Sequence, residues 1–568
     1  MSALPSVAKS LFFGVLSEDS LHPFPSFGET EAAKVRKLLD RYRRFADKNL
    51  DPSRIDAEQA IPESVYAELG EQGLWGMAVP TEDGGLGLSH RGRARVIEEV
   101  AASDTALGTL LGMHTSIGSA GILSSKVRGD YAGRMARGAC IGAFALAESG
   151  AGSDASAIQT RADESQGDYI LNGAKAWVAS GDSAQVFTVF ARTSAKDEDA
   201  KPRLTAFVVP KDATVSVEPT GSKLGLRGLP TPDVRFSGTR VSAANIIGEP
   251  GKGFKVAMDL LNHGRLMLSA GCVGAAKRML KLSLARCQER KAFARPIGEF
   301  GLIKDKIASM MAEIFALESC VYLTAGLIDR GMTDASVESV MCKVMGSETL
   351  WRVSNEALQI VAGHGFATGS PYERAVRDAR AMSLLEGTNE VLRCYIALSG
   401  MQAPGNEITE VAKAMREPIK GFGLLSDFAL RKAKSALGRE RMTQAHPVLA
   451  REAVVLEEYS QDLARNVDKT LRKHGKNIAE MQYTQRRIAD MAMDLFGIAA
   501  VVSRGSLAIA RKGEEGSRRE IDLASIFVSS AERRLEASVR AFDKNDDEVR
   551  KACASRAYVD GAYPCDVL

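Results

Sequence analysis

The chain has 568 residues, 45% hydrophobic and 26% charged, a balance that suits roughly two to four globular domains. Its net charge of +3 gives no electrostatic footprint for nucleic acid, so no nucleic-acid partner is expected. Eight cysteines without a Cys-x-x-Cys pair read as thiols in a reducing compartment, and seven histidines without paired-ligand spacing argue against a metal site.

In chain order, the opening "MSALPSVAKSLFFGVL" carries a short apolar run and one lysine. It matches neither a signal peptide nor an Arg-rich transit segment. The expectation is a soluble intracellular protein of a bacterial cytoplasm, or a mitochondrial one if the source is eukaryotic. Residues 1–137 read as an N-terminal helical domain, with Val35, Leu38, Leu39, Tyr42 and Phe45 on one helical face. "VPTEDGGLGLS" is a glycine-rich loop.

At 138–252 the texture becomes β. "YILNGAKAWV", "VFTVFAR", "LTAFVVP", "VSVEP" and "DVRFSG" are short and rich in Val, Phe, Thr and Tyr. Asn172-Gly173 predicts a hairpin turn. Residues 253–402 return to long apolar-faced helices. Pro404, Gly405, Pro418, Gly421 and Gly423 predict a linker over 403–430, followed by a C-terminal helical domain over 431–568. The apolar stretch at 491–510 contains Asp494 and Arg504 and reads as a core helix, not a bilayer span. The fold class is mainly α with an inserted β domain.

Five stretches could carry chemistry, and each also has a structural reading. In "ALAESGAGSDASAIQTRA" (145–162), Gly150, Gly152 and Ser153 could bring backbone N–H groups to phosphate or flavin oxygens, or merely connect two domains. Trp177 could stack on a planar ring or sit in the core. Arg290 and Phe293 leave a helix before Pro296; the guanidinium suits a pyrophosphate, or only a helix end. Gln359, Gly363 and Gly365 precede Arg377-Asp378-x-Arg380, which could be a structural ion-pair network. Finally, "SLLEGTNEVLR" sets Glu386 after two leucines. A carboxylate in a dry site acquires a raised pKa, whereas Ser383-x-x-Glu386 also fits a helix capping box.

Together these motifs resemble the acyl-CoA dehydrogenase family: E-x-G-A-G-S-D at Glu148 to Asp154, "WVASG" from Trp177, "KLGLRG" (223–228), R-x-x-F at Arg290 and Phe293, "QIVAGHGF", R-D-x-R, and Glu386-Gly387-Thr388. The extra C-terminal domain and "NHGR" resemble the very-long-chain type, and equally a sister member that assists complex I assembly.

The resemblance implies helical bundle, β-barrel-like domain and helical bundle, plus the extra domain, assembled as a homodimer. It implies FAD as cofactor, held by Phe144, Leu146, Ser153, Trp177, Ala179 and Thr388 of one subunit and by Arg290, Phe293, Gln359 and Gly363 of the other. Glu386 would be the base that removes the α-proton of a long-chain acyl-CoA, while the β-hydride passes to the flavin and the electrons go on to electron-transferring flavoprotein. Ser153, Arg265 and Gly387 would lie near the substrate. Gly118 and Gly121 would floor the acyl pocket, or simply let helices pack closely. Gly264 stands where some members carry the base.

Several positions depart from the family pattern. Ala147 and Ala179 replace flavin-bonding hydroxyl residues, Leu385 an aromatic, Ala294 a glycine and Lys304 a glutamine. The basic stretch in 431–452 could touch a membrane or form a solvated helix. Two further functions stay open: an assembly or scaffold protein with little turnover, and an acyl-CoA oxidase that reduces oxygen directly.

Overall fold

The computed structural model describes residues 4–193, 203–414 and 441–565. The chain divides into two compact units: Met1–Ser6 with Ser20–Leu392, and Val7–Asp19 with Arg393–Leu568.

The first unit opens with α1 (Glu29–Asn49), which buries Val35, Leu38, Leu39 and Tyr42 along one stripe. Helices α2 (His90–Ser103) and α3 (Thr105–Met113) start at side-chain caps, Ser89 accepting from the Gly92 N–H and Asp104 from the Leu107 N–H. A π-helical turn, His114–Gly118, follows α3.

An eight-stranded sheet comes next: β1 (Gly142–Ala145), β2 (Arg161–Ser165), β3 (Asp168–Lys175), β4 (Val186–Thr193), β5 (Arg203–Pro210), β6 (Val215–Glu218), β7 (Asp233–Ser242) and β8 (Ile246–Ile247). Its order is β6-β7-β3-β2-β4-β5-β8, with β1 paired in parallel to β4. Strands β4 and β5 read as near-continuous apolar runs because both faces are covered. Val186 and Phe190 of β4 pack in the cluster that holds Ala257, Leu260 and Leu261. Phe187, Val189 and Ala191 point to the opposite core, with Phe207 and Phe236.

Helices α4 (Gly253–Glu289), α5 (Gly301–Asp329), α6 (Ser336–Val361) and α7 (Pro371–Met382) complete the unit. Between α4 and α5 the chain forms a small hairpin, β9 (Lys291–Ala292) and β10 (Arg295–Pro296). Helix α8 (Asn389–Ala414) contains the division after Leu392. In the second unit, α9 (Ala450–His474), α10 (Gln482–Gly516), α11 (Arg518–Asp543) and α12 (Asp547–Asp560) follow. Most of the apolar window in α10 is buried in protein, as are those of two other helices long and apolar enough to cross a membrane.

Four expectations need correction. Asn172-Gly173 lies inside β3, at a register shift beside β7, not in a turn. The turn that joins β2 to β3 is Gln166-Gly167, both with positive φ, the conformation of a two-residue hairpin loop. Gly173 is needed because a Cβ there would meet Thr160 Oγ1 at 2.4 Å. Trp177 is not on a strand; it follows β3 at φ 58°, with 61% of its surface exposed.

The expected linker at 403–430 is helical as far as Ala414, with Pro404 inside the helix. Proline removes one intrahelical donor but does not by itself end a helix. Residues 415–440, with most of the basic stretch, lie outside the described residues. The described part of 431–452 is a loop, a single 3₁₀ turn at Pro447–Leu449 and the start of α9. Residues 7–19 belong with the C-terminal unit, not with an N-terminal domain of 1–137. The reason is packing: the Phe12 ring rests where a Cβ on Gly400 would stand.

The β9–β10 hairpin turns through Phe293 and Ala294, with φ 50° and 63°. An L side chain in that region costs about 1–2 kcal/mol, and glycine relieves the strain at one position without touching the exposed phenyl ring. Ala294→Gly is therefore expected to stabilise the protein by about 1 kcal/mol, read as a raised thermal midpoint.

Candidate functional site

Glu386 does not cap a helix. Ser383 closes α7 as its C-cap, and Glu386 sits in the turn before α8 at φ 56°, with Gly387 at φ 99°. Both carboxylate oxygens are sealed from solvent and have no hydrogen-bond partner among the described residues. Burial raises the Glu386 pKa to about 7, against the opposing pull of the Arg265 and Lys343 cations. An unpartnered buried carboxylate is costly, and its persistence suggests a functional role.

Two elements make room for it. On α4, Gly264 faces the carboxylate so closely that a Cβ there would lie 2.5 and 2.6 Å from its oxygens. A side chain at 264 and this position of Glu386 exclude one another. The next residue, Arg265, is buried. Its Nε donates to the Glu386 backbone carbonyl at 3.2 Å, and its Nη1 to Asn262 Oδ1 at 3.1 Å. From α6, Lys343 Nζ donates to the Gly387 carbonyl at 2.7 Å and to Asn389 Oδ1 at 2.9 Å.

The Arg-Asp-x-Arg motif forms the structural network. Arg377 donates to both Asp56 oxygens at 2.9 and 2.6 Å, to Glu373 at 2.7 Å and to the Leu224 carbonyl at 2.9 Å. Asp378 is buried and accepts from the Leu226 N–H at 2.6 Å. Gly225 fits against this turn because a Cβ would meet the Arg377 carbonyl oxygen at 2.2 Å. The "KLGLRG" segment is thereby fixed to α7, the helix that leads to Glu386.

The glycine-rich loop has its own anchor. Glu148 accepts from Lys175 Nζ at 2.8 Å, the Thr160 hydroxyl at 2.6 Å, and the Gln159 and Thr160 N–H groups at 2.6 and 2.9 Å. Burial alone would raise its pKa, but these donors hold it below the usual value. The Ala176 N–H donates to the Ala147 carbonyl at 2.8 Å, fixing the loop beside Trp177. A Cβ at Gly150 or Gly152 would meet nothing within 4 Å, so the loop borders open space. Phe144 and Leu146 end the β1 side, Phe144 packing on Phe190 with ring centroids 5.1 Å apart. Ser153 is exposed, while Ala179 and Thr388 are half-buried.

Arg290, Phe293, Gln359 and Gly363 are all exposed, Phe293 by 91%. Within the first unit none of them is brought to Glu386 by a hydrogen bond or ring contact among the described residues. Gly118 and Gly121 answer to packing: a Cβ would meet the Gly142 carbonyl oxygen at 2.3 Å and Thr188 Oγ1 at 2.8 Å, respectively. Their missing side chains admit β1 and β4, so they do not open a pocket floor in that direction.

Sequence reasoning overlooked Lys175 and Lys343, which are both fully buried. Their signal was available, since each stands alone in an apolar run ("GAKAWV", "VMCKVMG").

Family models match in chain order: the acyl-CoA dehydrogenase N-terminal domain over 32–139, middle domain over 143–239 and C-terminal domain over 251–401, then the ACAD9/ACADV C-terminal domain over 447–556. Human mitochondrial very long-chain specific acyl-CoA dehydrogenase is 34% identical, over 95% of this chain and 84% of its own. The chain belongs to the acyl-CoA dehydrogenase family. The probable acyl-CoA dehydrogenase FadE10 of Mycobacterium tuberculosis is 32% identical, over 96% of this chain and 87% of its own. An acyl-CoA dehydrogenase from Bacillus anthracis, solved in complex with FAD, superposes with a TM-score of 0.81 at 27% identity, covering 98% of this chain and 96% of that one.

This acyl-CoA dehydrogenase is FAD-dependent, and its residues fit such a group. An exposed indole, a glycine loop bordering open space and a sealed carboxylate with no hydrogen-bond partner among the described residues suit a planar redox cofactor and an acidic C–H substrate. Gly264→Ala is expected to push Glu386 out of its position and to cut kcat at least about tenfold, with flavin content unchanged. Steady-state kinetics and the flavin absorbance check this outcome.

Proposed function

We propose that the protein oxidises the Cα–Cβ bond of a long-chain acyl-CoA to the trans-2-enoyl-CoA, with Glu386 as the base, and passes the electrons to electron-transferring flavoprotein. The observation that carries the reading is the Glu386 carboxylate, dry, unpartnered and raised to about 7. A carboxylate with no hydrogen bond to satisfy it holds a proton more strongly, and a pKa near the working pH favours proton transfer.

FAD, when bound, supplies the acceptor for the β-hydride. The chain's own residues do the rest. Glu386 takes the α-proton onto a carboxylate oxygen. Arg265 holds the Glu386 carbonyl, so the base keeps its aim, and Gly264 leaves the space it occupies. The Glu386 N–H would donate to the thioester oxygen, where negative charge develops. Phe144, Leu146, Ser153, Trp177, Ala179 and Thr388 would border the flavin. Arg290, Phe293, Gln359 and Gly363, all solvent-exposed, would reach the flavin of a second subunit, making the protein a homodimer.

Support for long chains comes from the very long-chain specific relative and from the matched C-terminal domain. The scaffold reading lacks a comparable observation, because a protein without turnover has no use for an unpartnered buried carboxylate.

Glu386→Gln is expected to lower kcat by about 10²–10⁴-fold in ferricenium-coupled turnover across an acyl-CoA length series. A small residual effect would overturn the assignment. In the wild type, kcat/KM should rise with pH through about 7, as the base of the free enzyme ionises. The same shift bears on stability. With a folded pKa above the unfolded one, the group's contribution is present at low pH and lost as pH rises through about 7. Glu386→Gln is therefore expected to raise the melting temperature at pH 8 more than at pH 4.5.

A further inference from the structure

The turn that carries Glu386 is held from two helices by two buried cations. On one side Arg265 donates to the carbonyl of Glu386. On the other, Lys343 donates to the next carbonyl, that of Gly387, and to Asn389 Oδ1. Asn389 is itself fixed, its Nδ2 donating to Ser347 Oγ at 3.0 Å and to Glu348 Oε1 at 3.2 Å. Lys343 has no exposed surface, and both its acceptors are uncharged.

A buried ammonium is costly, and an apolar side chain would fill the same helix face without that cost. Holding Gly387 and Asn389 does not by itself require a charge. The carboxylate, however, has no hydrogen-bond partner among the described residues, so its ionised form depends on nearby positive charge. Left-handed backbone at a glutamate also costs free energy that its surroundings must offset.

We propose that Lys343 is a positioning residue of the base: it locks the Glu386-Gly387 turn through the Gly387 carbonyl and Asn389, and its charge favours the ionised carboxylate. The inference rests on Glu386 being the base. The charged groups facing the carboxylate are Arg265 from α4 and Lys343 from α6. Lys343 in turn faces Glu386, Cys272, Arg265 and Glu348. Burial lowers the Lys343 pKa to about 8, partly opposed by the Glu386 charge. The lysine is thus still mostly protonated at the midpoint of the Glu386 titration.

The test compares pH profiles of kcat/KM and kcat for the wild-type holoenzyme, Lys343→Gln, Lys343→Met and Glu386→Gln, with palmitoyl-CoA and ferricenium. Flavin absorbance and thermal melts report folding. Lys343→Gln keeps a donor but removes the charge. It is expected to move the rising limb of kcat/KM upward by about one unit and to lower kcat/KM at pH 7 about fivefold, with KM changed far less. Lys343→Met, which also loses the donor, should lower kcat further. A Lys343→Gln enzyme with full flavin content, an unmoved limb and unchanged kcat overturns the proposal, even if the methionine variant fails to fold. Near-normal turnover by Glu386→Gln instead overturns the base assignment itself, a result distinct from either lysine outcome.

Discussion

The site depends on a carboxylate placed where, among the described residues, it has no hydrogen-bond partner. Glu386 lies over Gly264 with both oxygens dry, and this state is costly enough that the rest of the local structure is arranged around it. The turn is left-handed, its carbonyls are held by Arg265 and Lys343, and among the described residues no hydrogen bond satisfies the acid. Low dielectric raises its proton affinity, and the two cations keep it ionisable near neutral pH.

Around that centre, polar networks act as a frame. The Arg377–Asp56–Glu373 cluster joins α7 to the "KLGLRG" segment. Glu148, with four donors, fixes the glycine loop beside Trp177. Neither carries out chemistry. Both restrict how far the elements bordering the open space can drift, and proximity effects in catalysis are sensitive to shifts of about 1 Å. The strained exposed hairpin at Phe293 and Ala294 is a different case, with backbone strain kept on the surface to present a side chain outward.

Much of this was legible in the residues. The order of helical, β and helical texture followed from periodicity, and the motif set pointed to the family and to Glu386. The misreadings share a physical origin. Asn172-Gly173 has turn chemistry, yet ladder bonds to β7 and the need for a small residue beside Thr160 hold it in a strand. The strands "GAFA" and "RADES" are too short or too polar to stand out; the first pairs with β4, some forty residues on, and the second with β3 across a two-residue turn. Gly118 and Gly121 suggested a roomy pocket, but the atoms filling that space come from β1 and β4.

By itself the sequence determined the element types, the family and the identity of the candidate base, because these depend on local pattern and on motif spacing. Only the tertiary structure decided that the carboxylate is unpartnered, that Gly264 makes its space and that Lys343 and Arg265 hold its turn. Dielectric, steric exclusion and charge pairing are set by atoms within a few ångströms, and here those atoms come from residues more than a hundred and some forty positions away along the chain.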